Sequence, residues 1–304
     1  MENRLARESS SLLCRTPRNK KLLGSENVMA VNSNVLTLRK IHETAIIAPG
    51  AKLGANVTVG PYAVIDDKVV IGDGTIIHPH VVITGNTIIG KNCEFFQGAS
   101  IGEAPQDLKY KGEDTKTIIG DGVVVRECAT IHRAVGEGNE TRLGNNVLMM
   151  AYTHVAHNCI VGNNVIMSNV ATLAGHVIVE DRAVIGGLTA IHQFTKIGRN
   201  CMCGGMSRIS QDVPPFVIVA GNPAHVSGLN SVGISRAGIS MEVRKELKKA
   251  YKILYNSGLS LPDAITTMEQ ELDSYEEVEH FMRFLRTVER GICRNTSRSI
   301  RDRD

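Results

Sequence analysis

The sequence predicts an all-β solenoid followed by a small α domain. Three observations lead there. Aliphatic residues recur every six positions through most of the chain. Aromatics are scarce, with six Tyr, six Phe and no Trp in 304 residues, although ordinary cores lean on them. Glycine is abundant, at 29 residues. A core of small and β-branched residues implies a narrow, repetitive interior.

The aliphatic hexads run in phase from Ile41 to Ile101, resume from Ile119 to Ile131, and resume again from Leu143 to Cys203, 25 in all. The second position is often Gly, as at Gly54, Gly72, Gly144 and Gly186, and the fifth is small or β-branched, as at Val57, Thr75 and Val165. A period of six is neither the 3.6 of a helix nor the 2 of a long strand. A short strand and a tight corner per hexad satisfy it. The first residue then points inward, and Gly or Asn near the corner supplies backbone freedom. Three faces close one coil, and coils stack as parallel strands about 4.8 Å apart.

Four segments follow from this pattern. Residues 1–40 carry Arg4, Arg7, Arg15, Arg18, Lys20 and Lys21 against few acids, with Ser9, Ser10 and Ser11 together and no long apolar stretch. That excludes a secretory signal and fits either an organellar transit peptide or a plain N-terminal arm. Residues 41–235 form the β-helix, whose strand stacking is expected to stop near Pro214 and Pro215. Residues 236–293 form a helical domain. Ser240 caps a helix over 241–256, with Val243, Leu247, Ala250, Tyr251 and Leu254 on one stripe. Two further helices are expected over roughly 262–273 and 275–290. Residues 294–304 read as a disordered tail.

Composition excludes several functions. The net charge of +3 gives no electrostatic case for nucleic acid. No run approaches the roughly 18 apolar residues of a membrane span. Seven cysteines make no disulfide framework at this length, which favours a reducing compartment. Cys93, Cys159 and Cys201 share one repeat position and read as small buried residues. Cys201 and Cys203 lack a second ligand pair at zinc-finger spacing.

The series breaks twice, over 102–116 and again around 136–141. Insertions in a solenoid become protruding loops, often on the binding side. A tolerated surface insertion is the alternative; the mixed polar chemistry around Asp107 and Lys109 favours a site. The histidines point to the same region. Adding one 18-residue coil to His157 gives Gly175, and another gives Gln193. His176 and His192 neighbour these positions, and His154 lies three residues before His157. Imidazole is a natural base for an alcohol near neutral pH, and an exposed Gly N–H can hold an oxyanion. A metal site is the competing use of such a cluster, without a known ligand spacing to support it.

Several stretches carry a resemblance. They are Gln106-Asp107-Leu108-Lys109-Tyr110, Thr153-His154-Val155-Ala156-His157, Ala171-Thr172-Leu173-Ala174-Gly175-His176, Ile191-His192-Gln193-Phe194 and Gln211-Asp212-Val213-Pro214-Pro215. Through them residues 41–290 resemble the UDP-N-acetylglucosamine O-acyltransferases of lipid A biosynthesis. The resemblance implies a left-handed parallel β-helix of hexapeptide repeats, a homotrimer with sites between subunits, and no cofactor. It implies transfer of an (R)-3-hydroxyacyl chain from acyl carrier protein to the 3-hydroxyl of UDP-N-acetylglucosamine. It further implies His157 as general base and the Gly175 N–H as oxyanion donor. Gln106, Asp107, Lys109, His154, His176, His192 and Gln193 would hold sugar and acyl chain. Asn230 and Arg236 would contact the nucleotide, and Gly205 would set acyl length.

The chain departs from the family pattern in three places. Asn158 stands where bacterial members commonly have Asp after the base, Ala237 replaces the second of an Arg pair, and Val232 replaces a nucleotide-contacting Glu. A plant organellar member would fit the leader and gives a mitochondrial address, a cytoplasmic one being the alternative. Two other readings stay open: another acyl- or acetyltransferase on the same repeat, or a zinc-binding scaffold resembling carbonic anhydrase.

Overall fold

The computed structural model describes residues 40–295. The expected leader, except Lys40, and residues 296–304 of the expected tail lie outside the described residues. Three sheets of eleven, nine and eight strands form the walls of a prism. Most of the strands are two residues long, because each hexad spends its remaining residues turning a corner. The regular register is one coil of 18 residues, as in His154↔Thr172 and Thr172↔Ala190 on the nine-stranded face.

The core follows the hexad phase. First-position residues such as Ile65, Ile71, Ile83, Leu143 and Ile197 are buried, and so are the fifth-position Val57, Thr75, Val165 and Val177. Phe95 is the one aromatic in the first-position row and is fully buried. The expected small, buried role of Cys93, Cys159 and Cys201 holds, and burial pushes the Cys159 thiol up to about 12. Ile41 departs from the inward pattern. It is 44 % exposed, because its strand ends the eleven-stranded face.

Three kinds of corner result. The corner entering the eleven-stranded face is polar, with Asn56, Asn92, Asn146, Asn164 and Asn200 at φ between 53° and 58°. The corner entering the nine-stranded face is apolar and exposed through Tyr152, Val170, Leu188 and Met206. The corner leaving the nine-stranded face carries Asn158, His176 and Phe194 at φ near 60°. Both insertions also leave from this third corner. They lengthen two successive coils, so that Ser100 pairs with Thr130 and Thr130 with His154.

Stacking does not stop at the prolines, contrary to the sequence reading. Val213 still bridges to Ile197, and a strand over Val217–Ala220 pairs in parallel with Met202–Cys203. Pro214 and Pro215 occupy the corner between them, where no ladder N–H is needed. An antiparallel strand, His225–Leu229, then closes the sheet.

Four helices follow. α1 (Ser231–Arg236) was not legible, being six residues long and containing Gly233. It straddles the 235/236 division drawn from sequence. α2 (Met241–Asn256) is capped by Ser240, whose hydroxyl accepts from the Val243 N–H. Ser260 likewise caps α3 (Leu261–Glu271), with Pro262 in its first turn, as the N-terminal preference for proline allows. α4 (Glu276–Arg286) ends before the expected 290. The chain turns there toward Lys196, whose ammonium donates to the Thr287 carbonyl at 2.6 Å and pairs with Glu289 at 2.8 Å. His280 of α4 reaches Glu180 on the solenoid at 2.7 Å, joining the two parts. No helix among the described residues is long and apolar enough to cross a membrane.

Candidate active site

The third corner assembles the site. His157, on the coil after the second insertion, is stacked directly on Gly175 of the next coil. The His176 N–H donates to the His157 carbonyl at 3.0 Å, and the Phe194 N–H to the Gly175 carbonyl at 3.1 Å. A Cβ on Gly175 would sit 2.6 Å from both Cε1 and Nε2 of the imidazole. The ring therefore lies against bare backbone, a close approach that only glycine permits. The Gly175 N–H donates to no described residue.

Asn158 fixes the tautomer of His157. Its amide is oriented from both ends by Val135, whose N–H donates to Oδ1 at 2.9 Å and whose carbonyl accepts from Nδ2 at 3.1 Å. Oδ1 therefore faces His157 Nδ1, 2.9 Å away. An amide oxygen only accepts, so Nδ1 carries the proton and the Nε2 lone pair is free. Asn158 supplies orientation without the full charge of a carboxylate. Asp107 Oδ2 lies 3.8 Å from Nε2 on the open side. Its other oxygen accepts from the Lys109 N–H at 2.9 Å, which sets the carboxylate in a turn.

The surrounding imidazoles are held neutral. Burial first, then the nearby His132 and His157, lowers His154 to about 4. Burial also lowers His132 and His176, with His157 adding to each shift. His176 stands edge-on to His157, with ring centroids 5.2 Å apart, and stacks on Phe194 at 4.6 Å. Asp107 and Lys109 both act electrostatically on His176, in opposite directions. A charged base thus meets no like charge from its histidine neighbours.

This environment gives a pH prediction. Unfolded, His154 titrates near its ordinary 6.5; folded, near 4. The unfolded chain takes up the proton first, so stability is complete above the ordinary value and falls as pH drops between the two. The loss from this group is on the order of 3 kcal/mol at full depth. Thermal unfolding followed from pH 7 to about 4.5 should show a smaller drop in His154→Gln than in the unaltered chain. Equal drops would remove His154 as the cause.

The other expected residues divide. Gln193 and His192 are exposed on the same corner one coil beyond Gly175, and His192 Nδ1 turns to the Gln193 carbonyl at 3.0 Å. Gln106 and Lys109 are exposed on the loop. Gly205 lies on the corner entering the nine-stranded face, before a strand three along that face from the one that leads to His157. Asn230 is 8 % exposed and caps α1, accepting from the Gly233 N–H at 3.0 Å and donating to the Asn200 carbonyl at 2.8 Å. With exposed Arg236 it borders the polar corner of Arg182 and Asn200. A single chain therefore does not bring Asn230 and Arg236 to the His157 corner.

His132 was missed. It is 7 % exposed and meets His154 edge-on at 4.8 Å, while Thr130 bonds His154 Nδ1 at 2.7 Å. The signal was present but displaced. Thr130 pairs with His154 across 24 residues, six beyond the regular coil, because of the second insertion. Among the described residues no group of three or more His, Cys, Asp or Glu could hold a metal.

A hexapeptide β-helix with an imidazole stacked on a glycine, beside an inserted polar loop, defines a hexapeptide-repeat acyltransferase. Residues 212–293 match the model of UDP-N-acetylglucosamine O-acyltransferase domain 2, and residues 35–136 match that of the GMPPB C-terminal domain. The chain is 51 % identical over 258 residues to the acyl-[acyl-carrier-protein]–UDP-N-acetylglucosamine O-acyltransferase of Thermodesulfovibrio yellowstonii, covering 84 % of this chain and 100 % of that one. It is 55 % identical to the enzyme of the same name from Trichlorobacter lovleyi, covering 84 % and 99 %. Among solved structures, LpxA from Acinetobacter baumannii matches with a TM-score of 0.81 at 44 % identity, covering 84 % and 99 %. The UDP-N-acetylglucosamine acyltransferase of Arabidopsis matches at 0.74 and 35 %, covering 84 % and 100 %. The chain belongs to the acyl-[acyl-carrier-protein]–UDP-N-acetylglucosamine O-acyltransferase family, and its solenoid is the left-handed parallel β-helix of that family.

Proposed function

We propose that this chain transfers an (R)-3-hydroxyacyl group from acyl carrier protein to the 3-hydroxyl of UDP-N-acetylglucosamine, the first step of lipid A biosynthesis. The observation that carries this reading is the His157 imidazole lying on Gly175 at the corner from which both insertions leave. Nε2 takes the proton of the sugar hydroxyl as its oxygen attacks the thioester carbonyl. The Gly175 N–H stabilises the oxyanion. Collapse breaks the C–S bond, and the imidazolium returns the proton to the leaving thiolate. Asp107 and Lys109 hold the sugar and the acyl hydroxyl, with His154, His176 and Gln193 along the groove. Incubating the protein with UDP-N-acetylglucosamine and a 3-hydroxyacyl carrier protein should yield the O-acylated nucleotide sugar. No product from either acyl donor length tried, short or long, would overturn the reading.

The arrangement supports a homotrimer. Asn230 and Arg236 stand on a different corner from His157, so a site using all three needs a second copy of the chain. The exposed Tyr152, Val170, Leu188 and Met206 form a continuous apolar edge, the kind of surface that marks an interface. Light scattering should give about three times the 32.9 kDa chain mass. A monomer mass would count against it.

The acidic acyl carrier protein needs a basic landing surface. On α2, Lys245, Lys248, Lys249 and Lys252 are exposed, and Val243, Leu247 and Leu254 are buried on the opposite side. Lys249 also pairs with Glu246 at 2.7 Å. Such contacts act mainly on encounter rate and are screened by salt. Lys248→Glu with Lys249→Glu should raise the KM for the carrier protein about tenfold and leave nucleotide binding unchanged. An unchanged KM and salt dependence would exclude this helix. The mitochondrial address rests on the composition of residues 1–40.

A further inference from the structure

The inserted loop bearing Asp107 and Lys109 is held at its far end through Asp114, whose N–H donates to the Glu137 carboxylate at 3.2 Å and whose carbonyl accepts from the Gly138 N–H at 3.1 Å; its middle has few ties. Its internal bonds are local. The Lys109 N–H donates to the Asp107 carboxylate, the Tyr110 N–H to the Asp107 carbonyl, the Tyr110 hydroxyl to the Glu113 carbonyl, and the Lys111 N–H to the Glu113 carboxylate. Beside it lies an open pocket of about 370 Å³, lined among others by Asn86, Tyr110, Thr115 and Arg133. Among the described residues, one hydrogen bond ties residues 105–113 to the rest of the protein. Arg133 Nε donates to the Tyr110 hydroxyl at 3.0 Å.

Arg133 is built to hold that point. Its Nη1 donates to the Gly102 carbonyl at 2.8 Å and its guanidinium stands 5.5 Å from the centroid of the Tyr110 ring, while the backbone N–H of Arg133 donates to the Glu103 carbonyl at 3.0 Å. One side chain thus grips both the start of the loop and its middle. The planar fork of an Arg can do this; an ammonium cannot reproduce it. The neighbouring coil makes room. Gly85 has φ +61°, and a Cβ there would lie 2.8 Å from Arg133 Nη1. Arg133 also directly follows His132, so the clamp and that buried imidazole sit at one strand end.

We propose that Arg133, acting through Tyr110, is the positioning residue that sets Asp107 and Lys109 over the His157 corner. The proposal rests on the acyltransferase reading. Arg133 touches no reacting atom. It fixes the loop so that Asp107 Oδ2 stays near Nε2, and misplacement by about 1 Å can cost on the order of 100-fold in rate.

The test uses steady-state kinetics on the full chain, with thermal unfolding measured in parallel. Tyr110→Phe keeps the ring and removes the hydroxyl, and with it both the bond from Arg133 and the bond to the Glu113 carbonyl. Of these two, Arg133→Met removes the bond from Arg133 alone, and it keeps the aliphatic stem. Both should lower kcat/KM for UDP-N-acetylglucosamine by about 10- to 100-fold with little change in Tm. Arg133→Lys should recover only part of the loss. In the Asp107→Ala, Lys109→Ala background, adding Arg133→Met should cost less than about threefold, since groups acting as a unit are not additive. A full-sized further loss in that background would show a general structural role and overturn the proposal. So would rates within about twofold of wild type in both Tyr110→Phe and Arg133→Met. If Arg133→Met does not fold, Tyr110→Phe decides alone. Wild-type turnover in the Asp107→Ala, Lys109→Ala variant would overturn the loop's place in the site, and the clamp with it. An impaired double variant beside normal clamp variants would overturn the clamp only.

Discussion

His157→Ala should leave a folded protein whose acyl transfer is at least about 10²- to 10⁴-fold slower. The residue combines the three properties a general base needs. Its Nδ1 proton is pinned by Asn158, its Nε2 lone pair is free, and the ring faces the Gly175 N–H side of the corner. Nothing in the fold depends on the imidazole. The ladder bond at this position uses the backbone carbonyl of His157, which alanine retains. The core beside it is built by Val155 and Cys159. The variant should therefore unfold at an unchanged temperature within a few degrees. Turnover above about a tenth of wild type would remove His157 from the mechanism.

Gly175→Ala should be nearly as damaging to catalysis and nearly silent in stability. The added methyl meets the far end of the His157 side chain at 2.6 Å, which real contacts do not show. Gly175 is not in the left-handed region, so alanine fits its backbone. What must move is the imidazole. Swinging it away breaks the Asn158 bond and takes Nε2 out of line with the oxyanion donor. Displacement of this size costs about 100-fold in rate. Measured kcat should fall accordingly while Tm stays put. A rate within about threefold of wild type would mean that the base does not need its seat on Gly175.

The period of six made the solenoid legible, because every coil repeats the same division of inward aliphatics and turning residues. The same count stacks His157 on Gly175 from sequence alone, since three coils beyond the second insertion have the regular 18-residue length. It failed wherever that length changes. His132 and Thr130 belong beside His154, yet a regular count from Thr130 lands on Leu148, six residues short. α1 was hidden by its brevity, and the prolines at 214 and 215 read as a stop because sequence does not show that they fall on a corner. Asn230 was expected to face a nucleotide from family resemblance alone. Its side chain also caps α1, a use visible only once the helix is seen. The role of Asn158 was likewise out of reach, since the residue that orients it, Val135, lies on the preceding coil.

The two lengthened coils separate stiffness from chemistry. Backbone pairing runs from Ser100 through Thr130 to His154 with one register shift, between Ile101 and Glu103, so the extra residues leave from one vertex while the wall continues. A scaffold of this kind can lengthen, shorten or exchange what hangs from that vertex while its spine keeps the same pitch. The imidazole on the next rung then acts as a fixed anvil, and the hanging segment decides which alcohol is brought to it.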